Sequence, residues 1–156
     1  CRGRDHPGRG RPVSAERAAV GMSALRILVA DDEAVTVELI TVVLRHAGFE
    51  VVGVTTCFDA LAKALDDPAP DVILLDALMP FLSGIEVCRR LRALERTRAT
   101  PIGIFSSADE GDVRWADAGA NGFLPKPFNV RNLPQFVTAL AAGKPQGPPR
   151  PSTARP

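Results

Sequence analysis

Residues 72–80 read VILLDALMP: four consecutive apolar side chains run straight into Asp76, and Met79-Pro80 closes the stretch. An apolar run without polar alternation suits a strand buried on both faces, the environment of a parallel sheet covered by helices. In such sheets ligands gather at the carboxyl edge, which is where Asp76 would stand. Upstream, residues 26–30 (RILVA) repeat the pattern and run into Asp31, Asp32 and Glu33. Between these two strands, Val35, Leu39, Ile40, Val43 and Leu44 follow helical spacing over residues 34–47, and Gly48 supplies a stop. Residues 50–55 (EVVGVT) are β-branched and strand-like. Residues 58–65 form a short helix that ends at the Asp67-Pro68 turn signal.

Downstream the alternation continues. Residues 84–94 are amphipathic, with Ile85, Val87, Cys88 and Leu91 opposed by Glu86, Arg89, Arg90 and Arg92. Residues 101–105 are a fourth strand, and a weak helix over 109–118 stops at Gly119. Residues 123–124 are a short fifth strand, and 130–142 a fifth helix. The arginines at 89, 90, 92, 96 and 98 read as a solvated helix face. Five βα units in strict alternation imply a single-domain α/β fold, a doubly wound five-stranded parallel sheet with right-handed crossovers.

The chain has 156 residues, enough for one such domain, and 46% of them are apolar. Its net charge of +1 hides an asymmetry. Residues 1–22 carry five Arg against two acids, and residues 143–156 carry three bases and no acid. The part between has 11 Lys or Arg against 16 acids, a net of −5. An acidic body argues against direct DNA binding by the domain, since a nucleic-acid reader concentrates positive charge on its surface. No apolar run approaches the roughly 18–20 residues that cross a bilayer, and no apolar signal region precedes the first strand. Cys1, Cys57 and Cys88 lack metal-ligand spacing, so they read as small apolar side chains in a reducing, cytoplasmic setting. The Arg/Gly/Pro-rich stretch 1–22 and the Pro-rich stretch 143–156 read as disordered tails around a domain over 23–142. Met22 reads as the natural start.

Polar residues cluster just after the strands: Asp31, Asp32 and Glu33 after the first, Asp76 after the third, Ser106 and Ser107 after the fourth, Lys126 after the fifth. Three carboxylates brought together repel one another unless a cation neutralises them. Hard oxygen ligands of this kind suit Mg2+, or Mn2+ in its place. Metal, ammonium and hydroxyl together match the oxygens of a phosphoryl group in transfer, with Asp76 as a candidate nucleophile. Each residue has a plainer reading as well: Asp31 as a helix cap, Asp76 as a loop acid, Lys126 as a solvated lysine. Two other functions use similar parts. A phosphatase with an Asp nucleophile pairs it with a second acid two positions on, where this chain has Leu78. A nucleotide- or flavin-binding domain needs a Gly- or hydroxyl-rich loop after the first strand, where this chain has Asp-Asp-Glu.

The motifs LVADDE, VILLDALMPFLSG, IFSSAD and GANGFLPKPF, in that order, resemble the receiver domain of two-component response regulators (CheY-like) over about residues 25–142. The resemblance implies a flavodoxin-like (βα)5 fold. It also implies a signalling switch, not a conventional enzyme, that takes phosphoryl on Asp76 from a sensor histidine kinase or histidine phosphotransfer protein. Asp32 would contact Mg2+ directly and Asp31 through water, with Asp76 and the backbone carbonyl of Leu78 completing the metal site. Ser106 matches the switch hydroxyl, Ser107 the small residue beside the phosphate, and Lys126 the phosphoryl partner. The Lys126-Pro127 bond would be cis. Phe123 matches an aromatic that swings inward on activation, or is an ordinary core aromatic. Output would pass through the fourth helix, fifth strand and fifth helix, about residues 109–142. The receivers of that output would be an unidentified protein or a second copy in a phosphorylation-dependent homodimer. Leu78 and Ala108 are more apolar or smaller than the family's usual residues there and imply slow hydrolysis. The segment from Ser106 to Lys126 is short for the family, which implies a short or loose fourth helix.

Overall fold

The computed structural model describes residues 24–107 and 114–143. The two tails and Ala108 lie outside the described residues or, for the second tail, all but Gly143. Five strands, β1 (Arg26–Ala30), β2 (Glu50–Val54), β3 (Val72–Asp76), β4 (Ile102–Ser106) and β5 (Gly122–Pro125), form one sheet in the order β2-β1-β3-β4-β5. Every pairing is parallel. This is the flavodoxin-like order, in which the chain reverses direction across the sheet between β1 and β3. Among the described residues four α-helices accompany the strands: α1 (Ala34–His46), α2 (Cys57–Ala64), α3 (Gly84–Ala93) and α4 (Leu133–Ala141), the last preceded by a 3-10 turn over Val130–Asn132.

The sheet is buried on both faces because its central strands carry apolar residues on both. β3 and β4 are buried at every position. On one face, Ile40 and Leu44 of α1 and Phe136, Val137 and Leu140 of α4 pack over Ile27, Val29, Leu74 and Phe105. On the other, Ala60 and Ala64 of α2 and Val87, Cys88 and Leu91 of α3 pack over Leu28, Ile73, Leu75, Ile104 and Phe123. Cys57 and Cys88 are free and buried, as small apolar side chains should be.

Three differences from the sequence reading matter. The face that α1 buries is Val37, Ile40 and Leu44, so Val35, Leu39 and Val42 are left exposed. The described part of the fourth predicted helix, residues 114–118, holds no helix: turns run over 115–119, while 109–113 lie outside the described residues. Arg114 has φ 55°, a left-handed conformation that does not propagate a right-handed helix, and Gly119 closes the turn at φ 95°. Finally, Arg92 is no solvated arginine. Its guanidinium donates to the carbonyls of Thr97, Arg98, Thr100 and Gly119 and to Oδ1 of Asn121.

Candidate functional site

β3 and β4 each end one residue later than the apolar pattern suggests, on Asp76 and Ser106. Asp76 pairs with Phe105 in the sheet, so its backbone is held by the ladder and not by a loop. Gly84, the first residue of α3, sits against that backbone: a Cβ there would overlap the Asp76 carbonyl oxygen. The Gly84 amide donates to the Ala77 carbonyl at 2.9 Å, closing the loop between β3 and α3 over the strand end. Ser83 caps α3 through its Oγ, which accepts from the Glu86 amide at 3.1 Å.

Asp31 follows β1 and is fully buried, with 0% exposure. It does not cap α1, whose N-cap is Glu33 without a side-chain cap. Its Oδ1 accepts the Glu33 amide at 2.9 Å, and its Oδ2 accepts from Lys126 Nζ at 2.8 Å across 95 positions of sequence. Lys126 Nζ also lies 3.7 Å from Asp76 Oδ1 and 5.2 Å from the centre of the Phe105 ring. The Lys126-Pro127 bond is cis, and the Lys126 amide donates to the Ser106 carbonyl at 2.8 Å. That bond ties the lysine's backbone to the end of β4. Asp32, by contrast, points outward and is exposed.

Asp31, Asp32 and Asp76 each offer a carboxylate oxygen, and these oxygens lie within 4.8 Å of one another. Burial, and then the charge of Asp31, pushes the Asp76 carboxyl from 3.8 up to about 7; Lys126 and the Leu78 amide offset only part of this. For Lys126, burial works to lower the pKa. The hydrogen bond to Asp31 and the charges of Asp76, Asp31 and Glu33 outweigh it and raise it. The cluster therefore holds more negative charge than one lysine neutralises. Such a set of hard oxygens fits a small divalent cation.

Ser106 is fully buried at the end of β4, whereas the neighbouring Ser107 is exposed beside Lys126. Leu78 is 59% exposed at the mouth, with its amide 3.4 Å from Asp76 Oδ1. Phe123 is 1% exposed and stacks on Trp115, with ring centres 6.1 Å apart and planes 17° apart. Its place is thus inside the core. The structure brings Asp31, Asp32, Asp76 and Lys126 into one cluster, with Ser106, Ser107 and Leu78 on the same sheet edge. Phe123 is set deeper, opposite Ile104 in the ladder.

Sequence reasoning passed over Phe58 and Phe81, which form an aromatic pair at this edge with ring centres 5.6 Å apart. The available signal was weak: Phe58 stands on the polar side of α2 beside Asp59, and Phe81 follows Pro80 inside a loop motif.

Comparison with known proteins agrees with this architecture. The family model described as the response regulator receiver domain matches residues 27–138. The phosphate regulon transcriptional regulatory protein PhoB of Escherichia coli K12 is 34% identical over 119 residues, covering 75% of this chain and 52% of PhoB. The chain thus spans about half the length of the curated relatives it matches. A crystal structure of a response regulator described as putative, from Chloroflexus aurantiacus, superposes with a TM-score of 0.72 at 30% identity. It covers 77% of this chain and 99% of that one. The receiver domain of sensor histidine kinase PA1611 from Pseudomonas aeruginosa, solved with magnesium coordinated in its active-site cleft, gives a TM-score of 0.69 at 29% identity, covering 77% and 99%.

Proposed function

The chain belongs to the response regulator receiver family, and from that premise we propose that Asp76 accepts a phosphoryl group with the help of Mg2+ or Mn2+. Receiver domains are signalling switches and not conventional enzymes, and here the product would be the chain's own modified aspartate. The donor is a sensor histidine kinase or a histidine phosphotransfer protein. The observation that carries the reading is the position of Asp76: a carboxylate held by the sheet ladder, 3.7 Å from Lys126 and inside an acidic cluster whose charge that one lysine does not balance.

An Asp76 carboxylate oxygen attacks phosphorus, the bond from phosphorus to the donor's imidazole nitrogen breaks, and an acyl phosphate results. Lys126, already paired with Asp31 and Asp76, supplies an ammonium to the phosphoryl oxygens. Ser106 donates its hydroxyl to them, and Ser107 leaves room beside them. Asp31, Asp32, Asp76 and the Leu78 backbone carbonyl would hold the divalent ion, which supplies positive charge beside the incoming oxygens. Asp32 is the exposed member and the natural direct ligand, while Asp31 is already committed to Lys126 and the Glu33 amide. Apolar Leu78 at the mouth disfavours attacking water, which supports slow hydrolysis.

The donor reaches Asp76 from the side of α1. Val35, Leu39 and Val42 form an exposed apolar stripe at i, i+4 and i+7. Leu39 also lines an open groove of about 380 Å³ with Ser107, Lys126, Pro127, Phe128 and Val130. An amphipathic donor helix laid along that stripe would place its phosphohistidine over the mouth. Output then passes through Ser106 and Phe123 to the surface of about residues 109–142, toward a partner protein or a second copy, without direct DNA contact by this domain. Among the described residues no helix is long and apolar enough to cross a membrane. We place the reaction in the cytoplasm on the strength of the kinase donor.

The deciding experiment is incubation with acetyl phosphate and Mg2+, followed by intact mass. Wild type should gain one phosphoryl adduct that depends on the metal, and Asp76→Asn none. An adduct that persists in Asp76→Asn, or none on wild type, would overturn the assignment.

A further inference from the structure

We propose that Phe58 and Phe81 are a second docking point for the phosphoryl-donor protein, on the face of the sheet opposite α1. The inference rests on Asp76 being the phosphoacceptor. It goes beyond that reading by assigning a partner contact to two aromatics outside the acceptor chemistry.

Phe81 is 87% exposed and Phe58 57% exposed, yet their rings meet at 5.6 Å and 45°. Large aromatics bury apolar area well and seldom stand free in pairs on a surface that no partner covers. Phe81 also occupies an unfavourable backbone. Its φ is 71°, and the Leu82 amide donates back across it to the Pro80 carbonyl at 2.9 Å, the bond of a tight γ-turn. A bulky residue is an outlier at positive φ, where glycine or asparagine is the ordinary choice. The loop thus keeps an exposed aromatic at a strained position instead of a residue that would relax it. Selection for the side chain accounts for that; selection for the fold does not.

The pair stands close to the acceptor, which identifies its occupant. Phe81 belongs to the loop that leaves Asp76, five positions on, and Pro80 beside it accepts a weak bond from Cys57, the residue before Phe58. Leu78, 59% exposed, stands in the same loop between Asp76 and Phe81. Packing puts α1 with α4 on one face of the sheet and α2 with α3 on the other, so the aromatic pair and the α1 stripe flank the mouth from opposite sides. A protein that delivers phosphoryl between them meets both. The exposed charges that adjoin the pair and the mouth in the chain, Asp59 beside Phe58 and Asp32 and Glu33 after β1, are acidic. The complementary partner surface is therefore an apolar side chain with a basic residue next to it.

The test separates a small donor from a protein donor. Phe81→Gly relieves the positive φ, so the fold is expected to hold or gain stability; Phe58→Ala removes the other ring from an exposed position. The double variant should take phosphoryl from acetyl phosphate at the wild-type rate, read by intact mass. From a panel of autophosphorylated sensor histidine kinases, its transfer rate should fall about tenfold or more with every kinase that phosphorylates wild type. Two results would overturn the proposal: a double variant within twofold of wild type with those kinases, or a wild type that none of the kinases phosphorylates. Failure of wild type to react even with acetyl phosphate would instead remove the phosphoacceptor reading beneath it.

Discussion

The edge of the sheet where β4 and β5 begin and the edge where the strands end are held in opposite ways. At the first, the single guanidinium of Arg92 faces four backbone carbonyls and Oδ1 of Asn121, and that same Oδ1 accepts the Ile102 amide at 2.8 Å. One side chain thereby fastens the end of α3 to the entries of both strands. At the second edge, three carboxylates crowd around one lysine, two of them buried, with the Asp76 carboxyl pushed up to about 7. The first edge matches each donor with acceptors and contributes stability. The second holds unbalanced negative charge, which costs stability and which a divalent cation would neutralise. A switch needs both: a frame that stays put, and a site whose energy changes when it is modified.

The largest effect expected from breaking this contrast is at the quiet edge. Arg92→Ala removes the guanidinium from the partly buried carbonyls of Thr100 and Gly119 and from Oδ1 of Asn121, and should destabilise the fold by about 3 kcal/mol in chemical denaturation. The folded fraction should still react with acetyl phosphate at Asp76 as wild type does. Arg92→Lys should recover little, because an ammonium cannot fork among acceptors set this far apart. A stable Arg92→Ala variant would remove the contrast.

At the charged edge the opposite sign is expected. Between about pH 4 and pH 7 the folded chain keeps a proton on Asp76 that the unfolded chain has released. Metal-free protein should therefore lose stability as pH rises through that window. Asp76→Asn should flatten this slope and gain about 2 kcal/mol above it, measured by denaturation in a chelator across pH. Mg2+ should recover stability in wild type above that window and much less in Asp76→Asn. A slope that is the same in both proteins would place the uncompensated charge elsewhere.

The smallest effect sharpens what kind of interaction matters at the quiet edge. Arg26 and Glu50 form a 2.6 Å ion pair there, with side chains 28% and 51% exposed. Arg26→Ala should cost about 0.5 kcal/mol, since solvent screens such a pair. A loss comparable to that of Arg92→Ala would mean that charge, and not satisfied backbone oxygens, holds this edge.

Much of this architecture was legible in the residue order. Strand placement followed from short apolar runs, and all five strands lie within a residue of the expected bounds because burial on both faces leaves no room for polar alternation. Helix faces were less legible. On α1 the apolar residues wrap wider than the buried stripe, so spacing alone could not tell Val37, which packs on β2 at Gly53, from Val35, which meets solvent. The described end of the fourth predicted helix shows the reverse error. Residues 114–118 have passable helix composition, but a left-handed Arg114 breaks the run, and one residue's φ carries no composition signal.

By itself, the sequence determined that Asp31, Asp32, Asp76, Ser106 and Lys126 would meet, since the end of a buried strand is a local property and parallel strands bring their ends to one edge. Only the tertiary structure decided how they meet. Asp31 is buried against Lys126 and the Glu33 amide while its neighbour Asp32 stays exposed, a split set by how the turn after β1 folds and not by residue type, which is the same at both positions. It likewise decided that Arg92 serves carbonyl oxygens, which every residue has and no side-chain pattern announces. And it paired Phe58 with Phe81, which share an edge through a turn whose backbone strain is invisible until the chain is folded.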